Sequence, residues 1–108
     1  WMFCRDNLDE CVQIVLKNGS ALGESHMRWQ LNEINALIWP SPNGIGMLDD
    51  AAYKQTVDIA KNYGVIKNDP DPAAARTDLA KKALEGLDGD TKGTAFKKAT
   101  GELKEGGK

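Results

Sequence analysis

No charge of one sign dominates this 108-residue chain: 14 Lys and Arg stand against 16 Asp and Glu, a formal net charge of -2. Nothing in that balance recruits phosphate backbones, so nucleic acid is not an expected partner. No apolar run approaches the roughly 18 residues of a membrane span, and the amino end has no basic region followed by an apolar core, so neither a membrane segment nor a signal peptide is expected in this stretch. Histidine occurs once and cysteine twice. Those numbers fall short of a zinc site, which needs four ligands at recognised spacing. The turn Asn43-Gly44-Ile45-Gly46 has too few glycines and no following lysine for a phosphate loop. Internal repeats are also missing, and no convincing strand pattern appears except weakly in the tail.

What remains is helical. Hydrophobic residues make up 41% and charged residues 28% of the chain, the composition of one modest soluble domain. Asp6 is the expected N-cap of a first helix over 6–18, with Leu8, Cys11, Val12 and Val15 as its apolar stripe and Gly19 closing it. Met27, Leu31, Ile34 and Ile38 recur at i, i+4, i+7 and i+11 and predict a second helix over 24–39. Trp39-Pro40 stops it, because proline pushes the preceding residue out of the helical region. Ser41-Pro42-Asn43-Gly44-Ile45-Gly46 reads as a defined turn, after which Asp49 caps a third helix over 49–63. The stretch from Met27 to Tyr63 therefore reads as a helical hairpin. Gly64 ends the third helix, and Val65-Ile66 is expected to tuck into the core. Asp71 as cap and Pro72 in the first turn start a fourth helix over 72–85 that buries Leu79, Ala83 and Leu84. The expected fold is all-α, about four helices in a small bundle or oligomer, followed by a glycine- and lysine-rich tail over 88–108 that is mobile unless Phe96 and Leu103 find a groove.

Cys4 and Cys11 lie seven residues apart, about 10.5 Å of rise on one continuous helix, whereas a disulfide needs Cα atoms within about 7 Å. The spacing therefore favours free thiols. A bridge requires the chain to bend between them, with Asp6-Asn7 the candidate position.

Chemistry is sparse. Ser25 and His26 are adjacent, and adjacent helical residues point about 100° apart, which does not suit a nucleophile and its base. Gly-Ser-Ala-Leu-Gly at 19–23 misses the nucleophile-elbow pattern. No catalytic residue, metal ligand or cofactor site is expected. Glu33, flanked by Asn32 and Asn35, can bind a polar ligand or satisfy neighbouring helix ends and loops. Trp29 and Trp39 can stack a planar ligand, though core packing is the commoner role.

The run NEINALIWPSPNGIGMLDDAAYKQTVDIAKNYGVI, followed by AARTDLAKKAL, resembles the carboxy-terminal portion of periplasmic substrate-binding proteins of ABC transporters. The branch it is similar to includes binders of nitrate, sulfonates, taurine and thiamine-pyrimidine precursors. The resemblance rests on Glu33, the tryptophan-proline loop at Trp39 and Pro40, Gly44-Ile45-Gly46, the acid-capped helix with Asp49, Tyr53 and Thr56-Val57-Asp58-Ile59, and Arg76-Thr77-Asp78. The segment CRDNLDECVQIVL resembles the family's helix-break-helix. Such proteins are two α/β lobes around a solute cleft, and the parallel strands of those lobes are missing here. The resemblance thus implies residues 1–87 as a non-catalytic helical fragment whose parent captures a small solute and delivers it to a transporter permease, outside the cytoplasm. The uncapped apolar start at Trp1 agrees with a helix cut from something larger. By motif, Trp39 and Asn43 are carried over with Glu33 as ligand-binding candidates. Helix faces detached from a lobe would associate, so a homo-oligomer through Trp1, Phe3, Val12, Val15 and the Met27–Ile38 stripe is expected. The competing readings are a free-standing small hydrolase-type enzyme and a helical protein-interaction module.

Overall fold

The computed structural model describes residues 1–19 and 21–104; Ser20 and residues 105–108, part of the expected loop and tail, lie outside it. The described chain is all-helical, with five α-helices: α1 (Met2–Asp6), α2 (Leu8–Asn18), α3 (Glu24–Ile38), α4 (Asp50–Asn62) and α5 (Asp78–Leu84), plus a 3-10 turn at Pro72–Ala74. No strand occurs among the described residues. Two compact units divide it: Trp1–Pro42 with the segment from Gly89 onward, and Asn43–Asp88. The helix–turn–helix read from Met27 to Tyr63 is therefore split between units at Pro42, within its Pro/Gly turn.

In the first unit the expected helix over 6–18 is replaced by two. Asn7 leaves the helical region (φ -134°, ψ 60°) and ends α1. Its side chain donates to the Phe3 carbonyl at 3.1 Å, while the Asp6 carboxylate that was expected to cap α2 accepts from Arg5 instead. The bend brings the Cα atoms of Cys4 and Cys11 to 5.2 Å, and the two form a disulfide. The expectation of free thiols fails because it assumed a continuous helical rise between them. α2 then packs on α3, and Cys11, Val12 and Trp39 are the buried apolar side chains.

The segment expected to be a mobile tail carries defined anchors through Lys104. The Ser41 N–H donates to the Lys92 carbonyl at 2.8 Å, Asn32 on α3 pairs with Ala99, and the Lys104 N–H donates to Ser25 Oγ at 3.3 Å. Phe96 is half-buried and Leu103 is 51% exposed, so polar groups of α3 supply the fixed points where apolar anchors were sought.

In the second unit, Asp49 caps α4 as expected, its Oδ1 accepting from the Ala52 N–H at 2.7 Å. The other end closes in a Schellman arrangement: Gly64 takes φ 72°, its N–H donates to the Lys61 carbonyl, and the Val65 N–H donates to the Ala60 carbonyl at 2.8 Å. Val65, expected to tuck inward, is 76% exposed. The expected fourth helix is interrupted. Asp71 does cap, accepting from the Ala73 N–H, but Ala75 turns extended (φ -107°, ψ 110°) and α5 begins afresh after Thr77. Thr and Asp compete with the helix through their own side-chain bonds, and Asp78 is engaged by Arg76 at 2.6 Å. Leu79 is consequently 63% exposed, where burial was expected.

Candidate functional site

The first unit is centred on Trp39. α3 delivers it as its C-cap residue, with the Trp39 N–H donating to the Asn35 carbonyl at 2.9 Å, and the bond to Pro40 is cis. Only 3% of Trp39 is exposed. The Arg5 guanidinium lies over its ring, 4.6 Å from the centroid, a desolvated cation–π contact. Gly93 backs onto the same indole: a Cβ there would stand 2.5 Å from Trp39 Cε3 and 3.0 Å from Arg5 Nη1.

Arg5 joins three parts of the unit: α1, the end of α3 and the turn at Asp90. Besides covering Trp39, it donates to both oxygens of Asp6, at 2.6 and 2.9 Å, and from Nη1 to the Asp90 carbonyl at 2.7 Å. The Asp90 carboxylate in turn accepts from the N–H groups of Lys92 and Gly93, which sets the turn that reaches the indole. Hydrogen bonding to Asp6 raises the Arg5 pKa above its ordinary value despite partial burial, with the charges of Asp6 and Asp90 adding to it. The same bond holds the Asp6 carboxyl below the usual aspartate range.

Of the three candidate residues, Glu33 and Trp39 belong to the first unit and Asn43 to the second. Trp39 is buried with its ring faces occupied, leaving no room for a planar ligand to stack. Glu33 is half-buried and pairs with Lys98 at 2.5 Å, tying α3 to the carboxy-terminal segment. Asn43 is exposed and belongs to the second unit. Asn32 and Asn35 both turn inward, to 6% and 1% exposure, with different outcomes. Asn32 Nδ2 donates to the Ala99 carbonyl at 2.7 Å and its Oδ1 accepts from the Ala99 N–H at 3.0 Å. The Asn35 amide finds no partner among the described residues.

That contrast makes a prediction. Asn32→Ala strands the Ala99 N–H and carbonyl and costs about 1–3 kcal/mol, whereas Asn35→Ala removes a desolvated, unpaired amide and stays within about 1 kcal/mol of the parent. Urea denaturation of the two variants followed by far-ultraviolet circular dichroism separates these outcomes.

Two concavities flank this core. The first, about 490 Å³, lies between the bend at residues 6–10, α3 and the segment 99–102. Asp6, Asp9, Glu10, Arg28, Trp29 and Asn32 are among the residues that line it, so it sets acidic groups beside a largely apolar surface that includes one indole wall. Its cation is already engaged, because Arg28 pairs with Asp9 and Glu24. The second, about 400 Å³, is an open apolar groove along α2 and α3, lined by Cys4, Cys11, Val15, Met27, Leu31 and Ile34 among others. The first was not expected from the sequence, whereas the second runs along Trp1, Val15 and the Met27–Ile38 stripe, part of the surface expected to associate.

Ser25 and His26 part as the helical geometry demands. Ser25 is buried and its hydroxyl accepts from Lys104, whereas His26 is exposed and tilted against Trp29 at 5.8 Å between ring centroids. Among the described residues no group of three His, Cys, Asp or Glu is placed to hold a metal ion, and no helix is long and apolar enough to cross a membrane. Comparison with protein-family models, curated proteins and solved structures finds no match to this chain.

Proposed function

We propose that this chain is the helical carboxy-terminal part of an extracytoplasmic solute-binding protein, a non-catalytic layer whose parent captures a small solute and hands it to a transporter permease. The observation that carries the reading is the imbalance of its apolar surface. Among the described residues fourteen large hydrophobic side chains are exposed, including Leu37 at 86%, against the three buried apolar residues Cys11, Val12 and Trp39. Helices patterned this way are built to be covered, and a lobe sheet is what the family resemblance supplies. The Cys4–Cys11 disulfide favours an oxidising compartment such as the periplasm.

The test is to express the complete reading frame that encodes this chain in a bacterial host, fractionate the cells and titrate the purified product with nitrate, sulfonates and aminopyrimidines by calorimetry. The expected result is a periplasmic product with Cys4 and Cys11 resistant to alkylation and saturable binding of one solute class. Cytoplasmic retention with both thiols alkylated, or no binding to any class, overturns the reading.

The open groove favours a second reading, self-association of the chain. Trp1, Phe3 and Val15 stand 55%, 47% and 39% exposed, whereas Val12, also expected on that surface, is 1% exposed and cannot contribute. Light scattering on a size-exclusion column decides it: a dimer or larger species is expected, and a monomer at about 100 μM, well above typical specific affinities, excludes it.

A further inference from the structure

We infer that the Cys4–Cys11 disulfide is a redox latch that determines whether the segment from Gly89 to Lys104 stays docked on α3. The inference is independent of any role in transport.

Three observations meet in α1. It is five residues long and its N-cap makes no side-chain hydrogen bond, so it cannot hold its own shape: one helical turn is below the length at which propagation offsets nucleation. Its covalent tie to the rest of the unit, apart from the chain at Asn7, is the bridge from Cys4 to Cys11 on α2. And the residue next to Cys4 is Arg5, whose side chain is 7% exposed and holds the Asp90 carbonyl while covering Trp39. The bridge therefore fixes α1, α1 fixes Arg5, and Arg5 fixes the turn at Asp90–Gly93 from which the segment departs along α3.

The bridge is placed to be reached. Both cysteines line the open apolar groove of about 400 Å³, and Cys4 is the less buried of the two. A small dithiol reductant entering there attacks Cys4 Sγ as a thiolate; the S–S bond breaks and its electron pair leaves on Cys11 Sγ. The reductant's second thiolate then displaces Cys4 and closes a disulfide of its own. Cys4 and Cys11 each take up a proton, and two electrons have passed from the dithiol to the protein.

What the latch controls is the cleft between the bend at residues 6–10, α3 and this segment. Residues 99–102 form one of its walls, held by the Asn32–Ala99 pair and the Lys98–Glu33 ion pair. Those two contacts and the Ser41–Lys92 bond remain after reduction, but the segment loses the hold of Arg5 on the turn at Asp90–Gly93. Each opening of the loosened segment uncovers Asn32 and removes one wall beside Asp6, Asp9 and Trp29, which are already exposed.

Hydrogen exchange read by mass spectrometry on the full chain, with and without dithiothreitol, tests this. Peptides within 92–104, which contain the bonded amides of Gly93, Phe96 and Ala99, are expected to exchange at least about tenfold faster after reduction, the scale of losing a desolvated cation–π contact with its charge-assisted hydrogen bond. Peptides of α3 keep their protection. Arg5→Gln with the bridge intact is expected to release the same segment. Unchanged protection at 92–104 when alkylation shows both thiols free overturns the inference, as does a docked segment in Arg5→Gln. Loss of α3 protection together with the segment also overturns it, because the bridge would then support the whole unit.

Discussion

Trp39→Ala lowers the unfolding free energy by about 3–5 kcal/mol, the usual range for emptying a buried aromatic site, and much of the total stability of about 5–15 kcal/mol expected for a small domain. The indole is the largest of the three buried apolar side chains among the described residues and touches parts of the chain far apart in sequence: Arg5 on α1, Gly93 in the carboxy-terminal segment and its own helix α3. Alanine removes the ring that Arg5 covers, so a largely buried guanidinium loses its aromatic partner while keeping Asp6 and Asp90. Trp39→Phe is expected to cost clearly less. It keeps a ring face for Arg5, and it deletes an indole N–H that has no acceptor among the described residues, which repays part of the lost contact area. Urea midpoints measured by circular dichroism should rank parent, phenylalanine, alanine in that order. A phenylalanine variant as unstable as alanine would show that the Nε1 group has a bonding role.

Gly93→Ala is the second large effect, about 2–5 kcal/mol, from two causes that add. The residue takes φ 58°, a left-handed conformation that costs a side-chain-bearing residue about 1–2 kcal/mol. Its Cβ would also stand 2.5 Å from Trp39 Cε3, so the buried ring or the turn must move, an overpacking cost of about 1–3 kcal/mol. Gly64 serves as the internal control. It also has a positive φ, 72°, but a Cβ there meets nothing within 4 Å. Gly64→Ala should therefore show the conformational cost alone, and the difference in thermal denaturation midpoints between the two variants isolates the close approach to Trp39.

Most helices were legible because each has a local cause. The stripe of Leu31, Ile34 and Ile38, the proline stop after Trp39, the Asp49 cap and the Gly64 terminator all act within a few residues and need no knowledge of the tertiary fold. The misreadings share the opposite property. The bend at Asn7 depends on a competition between two side chains: Arg5 engages Asp6 and Asn7 turns back to Phe3, so the cap expected at Asp6 never forms. With the bend unseen, the cysteine spacing argued against the bridge that the structure contains. The break at Ala75 is similar, set by Arg76 meeting Asp78 across a stretch whose alanines favour a helix.

The docked segment was the least legible part, for a different reason. Its composition, rich in glycine and poor in large apolar groups, describes how it would behave alone. Its anchors belong to α3: the amide of Asn32, the hydroxyl of Ser25 and the carboxylate of Glu33. For the trio around Glu33 the sequence offers two readings, binding a polar ligand or satisfying neighbouring helix ends and loops, and Asn32 has the second role. The partner it satisfies lies 67 residues away, beyond any periodic pattern.

The Asn32–Ala99 pair also sets how freely these two positions can drift over generations. The carboxamide engages only the main chain at Ala99, through one N–H and one carbonyl, so the methyl group there carries none of the recognition. Position 99 can exchange its side chain among all types that leave the main chain intact, whereas position 32 needs a donor and an acceptor at that one reach; aspartate lacks the donor and glutamine is a methylene too long. For this pair the docking instruction is thus written on α3, and variation of the side chain at position 99 would leave the contact unchanged.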